Sequence, residues 1–496
     1  MPLQCRWNSR YARMRYRSPA RDGRSAPARP LSMRRSIVVI GAGPAGMAAA
    51  IEAAARGCDV TVIDESARPG GQIYRQADSR LEGNEFAEPT ELARKKRLLH
   101  RFDEAVRAMD YRAGVVAYAA FGNSEIHVTV GDRTEALKPD AVILATGMRE
   151  RAIPFPGWTL PGIMFAGGAQ AILKSQRVAP GKTAVVAGCG PLPIVVASQF
   201  TRAGIGVAAL ASLRSPLAML QHPRGVWHGR GILREGLRYE WTLLRARVPR
   251  LTGFVPVRAL GNERLEAVQL ARVDERGQVV SGTMRQITCD LLAINYGFIA
   301  NAELAAMAGA RMRHDPDGGF WLPEIDEQGR TSLPWLYAAG DMAGLRGALI
   351  AESEGTIVGA AAAGAPRTAA ASDALREAIA SRRRYGAFQR ALRETLRVPS
   401  ALWRATTDDT VVCRCENVRF SEIRAALEGG HQSLNAIKRT TRAGMGWCGG
   451  RMCLHSVAAL AELHAGIAPA NMMTPRPLAR PVAFAALARQ KRTVAP

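Results

Sequence analysis

Residues 36–46 read Ser36-Ile-Val-Val-Ile-Gly-Ala-Gly-Pro-Ala-Gly46. The run of β-branched residues favours an extended strand. The glycines that follow stand at G-x-G-x-x-G spacing, and the Ala-rich stretch to about Arg56 reads as a helix. A second strand, Val60–Ile63, ends in Asp64-Glu65, so an acid lies 23 residues after Gly41. This is the order that a bound dinucleotide needs. Gly41 permits the tight turn, Gly43 lets backbone approach a pyrophosphate, and Gly46 lets helix and strand pack closely. The helix N-terminus faces the phosphates, and a carboxylate at the strand end takes the ribose hydroxyls. The expected fold class is therefore α/β and Rossmann-like.

The unit recurs. Lys182–Ala187 reads as a strand, followed by Gly188-Cys-Gly190-Pro-Leu-Pro193, a helix to about Ala203 and a strand Val207–Leu210. The second copy is degraded. Pro193 stands at the third glycine position, which is expected to loosen helix–strand packing, and Ala211 stands where the acid belongs. Without that carboxylate a nicotinamide nucleotide loses its ribose partner. Ser212 and Arg214 leave a 2′-phosphate reading, and so NADPH, open. The reading favoured here is a domain kept for architecture or another nucleotide.

Two later segments bear on the first site. Ala141–Thr146-Gly147 is a strand entering a turn. Leu336-Tyr-Ala-Ala-Gly340-Asp341 is a second, followed by a small-residue helix, Ala348–Ala363. With Gly70-Gly-Gln-Ile-Tyr-Arg75, they resemble the two-dinucleotide-domain flavoproteins of the glutathione-reductase-like fold. The resemblance implies FAD, held by Gly41, Gly43, Pro44, Ala45, Gly46, Asp64, Glu65, Gly71, Gln72, Val116, Thr146, Gly147, Gly340 and Asp341. Asp341 would bond the ribityl chain. No cysteine pair lies near Gly70–Arg75, so a disulfide reductase is not expected. Cys58, Cys189 and Cys289 are solitary and read as packed small residues. Cys5 lies in the N-terminal stretch.

Four of the eight cysteines gather near the C-terminus: Cys413-Arg-Cys415, 32 further residues, then Cys448-Gly-Gly-Arg-Met-Cys453. Two close thiolate pairs suit zinc or an iron–sulfur cluster. The intervening Ser421–Glu428 reads as helix, and Gly444, Gly446, Gly449 and Gly450 allow backbone to wrap a cluster. The pattern resembles the bacterioferritin-associated-ferredoxin-like (BFD-like) [2Fe-2S] domain, in the subgroup with a C-x4-C second pair. That implies Cys413, Cys415, Cys448 and Cys453 as iron ligands.

Taken together, GGQIYR, Phe155-Pro-Gly-Trp-Thr-Leu-Pro-Gly162, the Gly188 loop, YAAGD, CRCE, Thr441-Arg-Ala-Gly-Met-Gly-Trp-Cys448 and Arg476-Pro-Leu-Ala-Arg-Pro481 resemble one family. It is the flavin-containing α subunits of multi-subunit bacterial dehydrogenases of the opine oxidase, hydrogen cyanide synthase and D-hydroxyproline dehydrogenase type. The resemblance implies a partner β subunit of the D-amino-acid-oxidase type, which oxidises an amino or imino acid or opine at its own flavin. It further implies a small third [2Fe-2S] subunit, an FMN at an interface between subunits and a respiratory acceptor. No substrate base is expected in this chain, so no catalytic residue is assigned. His100, His222, His228, His314, His431, His455 and His464 are isolated and read as surface or core residues; for His455, just after Cys453, tuning of the cluster is the alternative. Glu352 and Glu354 read as a helical polar face.

The chain has 496 residues and a net charge of +24. Such an excess points first to nucleic acid. Its make-up argues otherwise: 7 of 67 basic residues are Lys, and half of the excess lies in residues 1–32 and 475–496. No nucleic-acid partner is expected. No apolar run reaches the ~18 residues of a membrane span. No secretory h-region precedes the first strand, so a cytoplasmic protein, or one peripheral to the inner membrane, is expected. Arg224–Arg250, interleaved with Trp227, Tyr239 and Trp241, reads as a solvated helical face, a flavin-phosphate site or a docking face for an acidic partner. Arg367–Arg404 reads as a basic pair of linker helices.

The expected organisation is a basic leader at 1–32 (with Met33 as the natural start), an FAD domain at 33–155 and 290–365, an inserted NAD(P)-like domain at 156–289, a helical basic linker at 366–404, the [2Fe-2S] domain at 405–465 and a tail at 466–496. Two rival functions remain: an NADPH-dependent reductase of a small electron carrier, and an iron- or cluster-handling module.

Overall fold

The computed structural model describes residues 34–78, 81, 86–364, 373–395, 397–468 and 477–489. The leader, the Met33 start and Cys5 lie outside the described residues.

The first sheet is five-stranded and parallel. Its order is Leu336–Ala338, Ala141–Leu144, Ser36–Ile40, Asp59–Asp64, Asp110–Ala113. Strands far apart in sequence therefore share one layer, which a crossover connection requires. The central strands are apolar on both faces: Ile37, Val39, Val62 and Ile143 pack under the helices, and Val38, Ile40, Ile63 and Val142 pack with Ala117, Ile126 and Val128 on the other side. The fingerprint helix, Pro44–Ala55, lies against the helix Ala348–Ala362. Gly355 and Gly359 permit that contact, since an added Cβ would stand 2.1 Å from Ala45 O and 2.4 Å from Ala49 O.

The second parallel sheet has the order Arg250–Thr252, Gly206–Ser212, Thr183–Gly188, Leu291–Asn295, Ile163–Phe165. Each half carries a three-stranded antiparallel meander, Val116–Leu137 in the first and Phe254–Thr288 in the second. Pro193 does not loosen the second half. It is buried against Gly188, and Val196, Ala197 and Phe200 of the helix Pro191–Arg202 are fully buried. The ring fills the space that a third glycine would leave.

Among its described residues the basic linker holds one long helix, Asp373–Thr395, and a short 3-10 turn, Ser400–Ala405, rather than two long helices. The long helix packs on the helices Ala348–Ala362 and Pro223–Arg245. The cysteine-bearing segment follows as a two-stranded ribbon and the helices Phe420–Glu428, Leu434–Thr441 and Leu454–Ala465. Its core is continuous with the second half: Val412, Phe420, Ile437 and Val457 share one cluster with Ile153, Cys189, Val255, Tyr296 and Trp403. No helix among the described residues is long and apolar enough to cross a membrane.

Candidate functional site

The three fingerprint glycines do different work. Gly41 has φ +106, and a Cβ there would stand 2.4 Å from Ala145 O. A Cβ on Gly46 would stand 1.7 Å from Gly41 O. The protein's own packing demands both. Gly43 has an ordinary φ of −76, and the nearest atom to a Cβ there is Gly71 Cα at 3.8 Å. The chain alone would admit a side chain at 43. The space it leaves open lies at the helix N-terminus, where a phosphate binds. Pro44 opens that helix, at a position where its missing N–H costs nothing.

The structure separates the two acids. Asp64 Oδ2 accepts from Ala42 N at 2.5 Å and Oδ1 from Ser66 N at 2.6 Å. Burial pushes its carboxyl up, and these two amides pull it back. Asp64 thus braces the loop. Glu65 is the exposed carboxylate, 3.1 Å from Arg480 Nε. Val116 begins the strand beside the Asp64 end, where Val115 N donates to Asp64 O. Gly71 and the exposed Gln72 face the fingerprint loop through Gly43, and Gln72 Oε1 accepts from Arg75.

Asp341 comes to the same place from the far strand. A Cβ on Gly340 would stand 2.6 Å from Ala45 Cβ, so the 340–341 turn abuts the fingerprint helix. Asp341 Oδ1 accepts from Arg346 N at 3.0 Å and Gly347 N at 2.9 Å, which leaves Oδ2 for a hydroxyl donor. Burial raises its carboxyl, opposed by those amides. Glu354 is no polar surface face. It is 5% exposed, pairs with Arg346 at 2.5 Å, and is pushed up by burial. Thr146 Oγ1 donates to Asn301 O, and Asn301 Nδ2 to Thr146 O. Gly147 follows in the same turn, and its O accepts from Asn301 N.

The four C-terminal thiols sit as two pairs. Cys413 lies against Cys453, and Cys415 against Cys448. Among the described residues, no three His, Cys, Asp or Glu side chains converge as ligands of a single ion. Cys413 is held low, at about 6, first by its bond with Cys453 and then by amides of Gly444, Glu416 and Cys415, against burial. Cys453 and Cys415 are pushed up by the neighbouring thiols and burial. Gly446 is required by approach: a Cβ there would stand 2.3 Å from Cys415 Cβ. Backbone amides aimed at sulfur, and thiols in twos, fit a two-iron cluster better than one zinc ion.

One segment joins the two sites. After the Thr146-Gly147 turn, Arg149 Nε donates to Arg451 O at 2.9 Å, inside the Cys448–Cys453 loop. The same guanidinium reaches Asn301 Oδ1 at 2.8 Å and Glu303 at 2.7 Å. Ala152 O accepts from Ser456 Oγ at 2.9 Å and lies 2.8 Å from His455 Nε2. Thr406 Oγ1 donates to Pro154 O, and Trp158 Nε1 to Val411 O. Burial drives His455 down to about 3, so it is neutral and donates from Nε2. It anchors the cysteine-bearing segment on residue 152.

Arg151 is fully buried, with its guanidinium on Tyr296 O and Gly318 O and its carbon 5.8 Å from the Trp403 ring centre. Glu150 accepts from Gly167 N at 2.9 Å and Asn295 Nδ2 at 2.7 Å. None of Glu150, Arg149 and Arg151 was expected at a site. The signal lay in three consecutive charged residues directly after a turn in a buried stretch. Cys58, Cys189 and Cys289 are buried thiols, all pushed up by desolvation. Ala211 is fully buried and offers no carboxylate, while Arg214 donates to Glu275 O.

The fold and the two sites define a flavoprotein oxidoreductase. Residues 35–365 match the pyridine nucleotide-disulphide oxidoreductase family, and residues 411–462 the BFD-like [2Fe-2S] binding domain. The chain belongs to that oxidoreductase family and is an FAD-dependent enzyme carrying a [2Fe-2S] domain. It is 33% identical to an opine oxidase subunit of Rhizobium meliloti, over 92% of this chain and 88% of that one. It is also 33% identical to hydrogen cyanide synthase subunit HcnB of Pseudomonas aeruginosa, over 84% and 90%. Among solved structures, L-proline dehydrogenase from P. horikoshii shares the fold, with a TM-score of 0.65 at 20% identity over 92% of this chain and 79% of that chain.

Proposed function

We propose that this chain is the electron-transfer subunit of a heteromeric amino-acid, imino-acid or opine dehydrogenase. A partner of the D-amino-acid-oxidase type would carry the substrate chemistry, and this chain would pass electrons towards a respiratory acceptor. FAD supplies two-electron acceptance with one-electron release, and the cluster takes single electrons. This chain's residues bind and position those groups. Gly41, Gly43, Pro44, Ala45, Gly46, Glu65, Gly71, Gln72, Val116, Thr146, Gly147, Gly340 and Asp341 surround the flavin, and Asp64 shapes the loop beneath it. Cys413, Cys415, Cys448 and Cys453 hold the irons.

The observation that carries this reading is the segment Thr146–Trp158. It leaves the flavin-side turn and bonds the cysteine loop through Arg149 and the helix behind it through Ala152. The two sites are thereby fixed to each other. The relatives support a heteromeric assembly, since both are named as subunits, one of an opine oxidase and one of a hydrogen cyanide synthase. An NADPH-dependent reductase finds less support, because Arg214, the residue that would meet a 2′-phosphate, donates to Glu275 O, and Cys189 of the second loop lies in the core shared with Trp403 and Val412.

The test is purification from the native host under anaerobic conditions. Copurification with an oxidase-like protein, and bleaching of flavin and cluster by an amino acid or opine only when that protein is present, is expected. Substrate oxidation by the isolated chain would remove the electron-transfer role. Rapid bleaching of the isolated chain by NADPH would establish the reductase instead.

A further inference from the structure

The helix Pro223–Arg245 is two-faced in an unusual sense. One face is buried: Gly225, Gly229, Tyr239 and Leu243 point inward. The two glycines let it press on the long linker helix, where Cβ atoms would stand 2.6 Å from Ala391 Cβ and 2.1 Å from the Phe388 ring. The opposite face ought to be wholly polar in a helix bathed by water. Here large apolar side chains stand among its arginines. Trp227 is 66% exposed, Leu237 67%, Trp241 60% and Leu244 68%. At 100° per residue these four, with Arg230, Arg234, Arg238 and Arg245, fall on one side, opposite the buried stripe. Leu217 and Leu220, 71% and 67% exposed, extend the apolar surface onto the preceding turn, Pro216–Gln221.

The charge on this face has one sign. The helix has two acids, and both are engaged elsewhere. Glu235 is bonded by Arg94 at 2.5 Å and 2.8 Å, and Glu240 by Arg250. Arg230 stacks on the Trp227 ring at 4.8 Å. Exposed tryptophan and leucine in a convex line, flanked by arginines of which Arg238 reaches Glu88 at 3.8 Å, match a helix that lies in a bilayer interface. Indole rings settle at headgroup depth, and guanidinium groups reach anionic phosphates while their stems stay with the apolar layer. A protein groove would need an acidic rim to complement these arginines, whereas an anionic headgroup layer supplies that charge anywhere it is met.

We propose that the Trp227–Arg245 face, with Leu217 and Leu220, is a docking surface for an anionic phospholipid bilayer. The chain then lies on the membrane with the 223–245 helix in the interface plane. This assignment does not depend on the flavin and cluster reading, because nothing in it touches those sites.

The test uses the purified full chain and two kinds of vesicle, phosphatidylglycerol mixed with phosphatidylcholine and phosphatidylcholine alone. Sedimentation with the anionic vesicles, weakened by salt, is expected. Trp227→Gln with Trp241→Gln should weaken binding by at least about tenfold. Arg230→Gln with Arg234→Gln should weaken it roughly 30-fold on anionic vesicles. All four side chains are exposed, so the far-ultraviolet spectrum and bound flavin should be unchanged. No vesicle binding overturns the proposal. So does binding that survives both double variants, since the arginine-rich stretch 1–32 would then carry it. A stoichiometric complex with another protein, or self-association, that Trp241→Gln abolishes while vesicles go unbound would also overturn it.

Discussion

The two glycine loops share a frame and differ in what lies above it. In both, the first glycine is needed by the fold: a Cβ on Gly41 meets Ala145 O at 2.4 Å, and one on Gly188 meets Asn295 O at 2.0 Å. The first loop then leaves an added Cβ on Gly43 with no neighbour closer than 3.8 Å, and the Asp64 carboxylate braces the loop from below. The second places Cys189 in a core shared with Trp403 and Val412, fills its third position with Pro193, and has a buried Ala211 for its acid. A glycine motif therefore reports the strand–helix turn. Whether the turn serves a ligand or a neighbouring segment depends on what packs against it. Here the first half leaves open space beside Gly43 at the helix N-terminus, and the second serves as the platform for the cysteine-bearing segment.

That contrast can be broken by experiment. The largest effect belongs to Gly43→Val. It should abolish flavin binding, a loss of about 100-fold or more in affinity, while the apoprotein melts normally. Flavin absorbance and calorimetry read the two separately. Retained flavin would show that the first loop does not hold it.

Trp403→Ala unroofs the second loop and removes a buried indole beside Arg151. It should cost about 3–5 kcal/mol and loosen the cysteine-bearing segment, yet leave flavin content unchanged in the folded fraction. Denaturant titration with flavin fluorescence checks this, and an effect confined to flavin would reverse the roles given to the two halves.

Arg149→Ala cuts the tie between the flavin-side turn and the Arg451 carbonyl. A loss of about 1–3 kcal/mol is expected, with an altered electron paramagnetic resonance line shape for the reduced cluster. An unchanged spectrum and melt would show that the tie is incidental.

The smallest effect is a pH dependence. Burial raises Glu150 from 4.5 to about 6, so its protonated form is favoured in the folded state. The unfolded chain loses that proton first. Stability from this group is therefore full below about pH 4.5 and falls as pH rises to about 6, by about 2 kcal/mol. Glu150→Gln should raise the melting temperature at pH 7 and lose its advantage near pH 4.5.

Much of this was legible in local sequence because the features concerned are local. A β-branched run before Gly41 makes a strand, and closely spaced cysteines on a glycine-rich loop make a thiol cluster. The strand Ser36–Ile40, the fingerprint helix and the helix Phe420–Glu428 each follow from a short run of neighbouring residues. The misreadings have the opposite character. Pro193 was expected to loosen packing, but the opposing residue Gly188 has no side chain for its ring to displace. Glu354 looked like surface from its own helix, yet Arg346 and the 340–341 turn enclose it.

The sequence by itself determined that two dinucleotide-type turns and a four-cysteine segment exist in this chain, since each is specified by backbone sterics and ligand chemistry over a few residues. Only the tertiary structure decided how they relate. Arg149 and Arg451 are 302 residues apart, Ala152 and Ser456 are 304 apart, and Asp64 was distinguishable from Glu65 only once Ala42 stood beneath it. Hydrogen bonds and exposure depend on which surfaces the fold brings together, and no window of sequence contains both partners. The Trp227–Leu244 face is the same case: the segment reads as a solvated helical or docking face, and only the packed structure shows its tryptophans and leucines gathered on the exposed side.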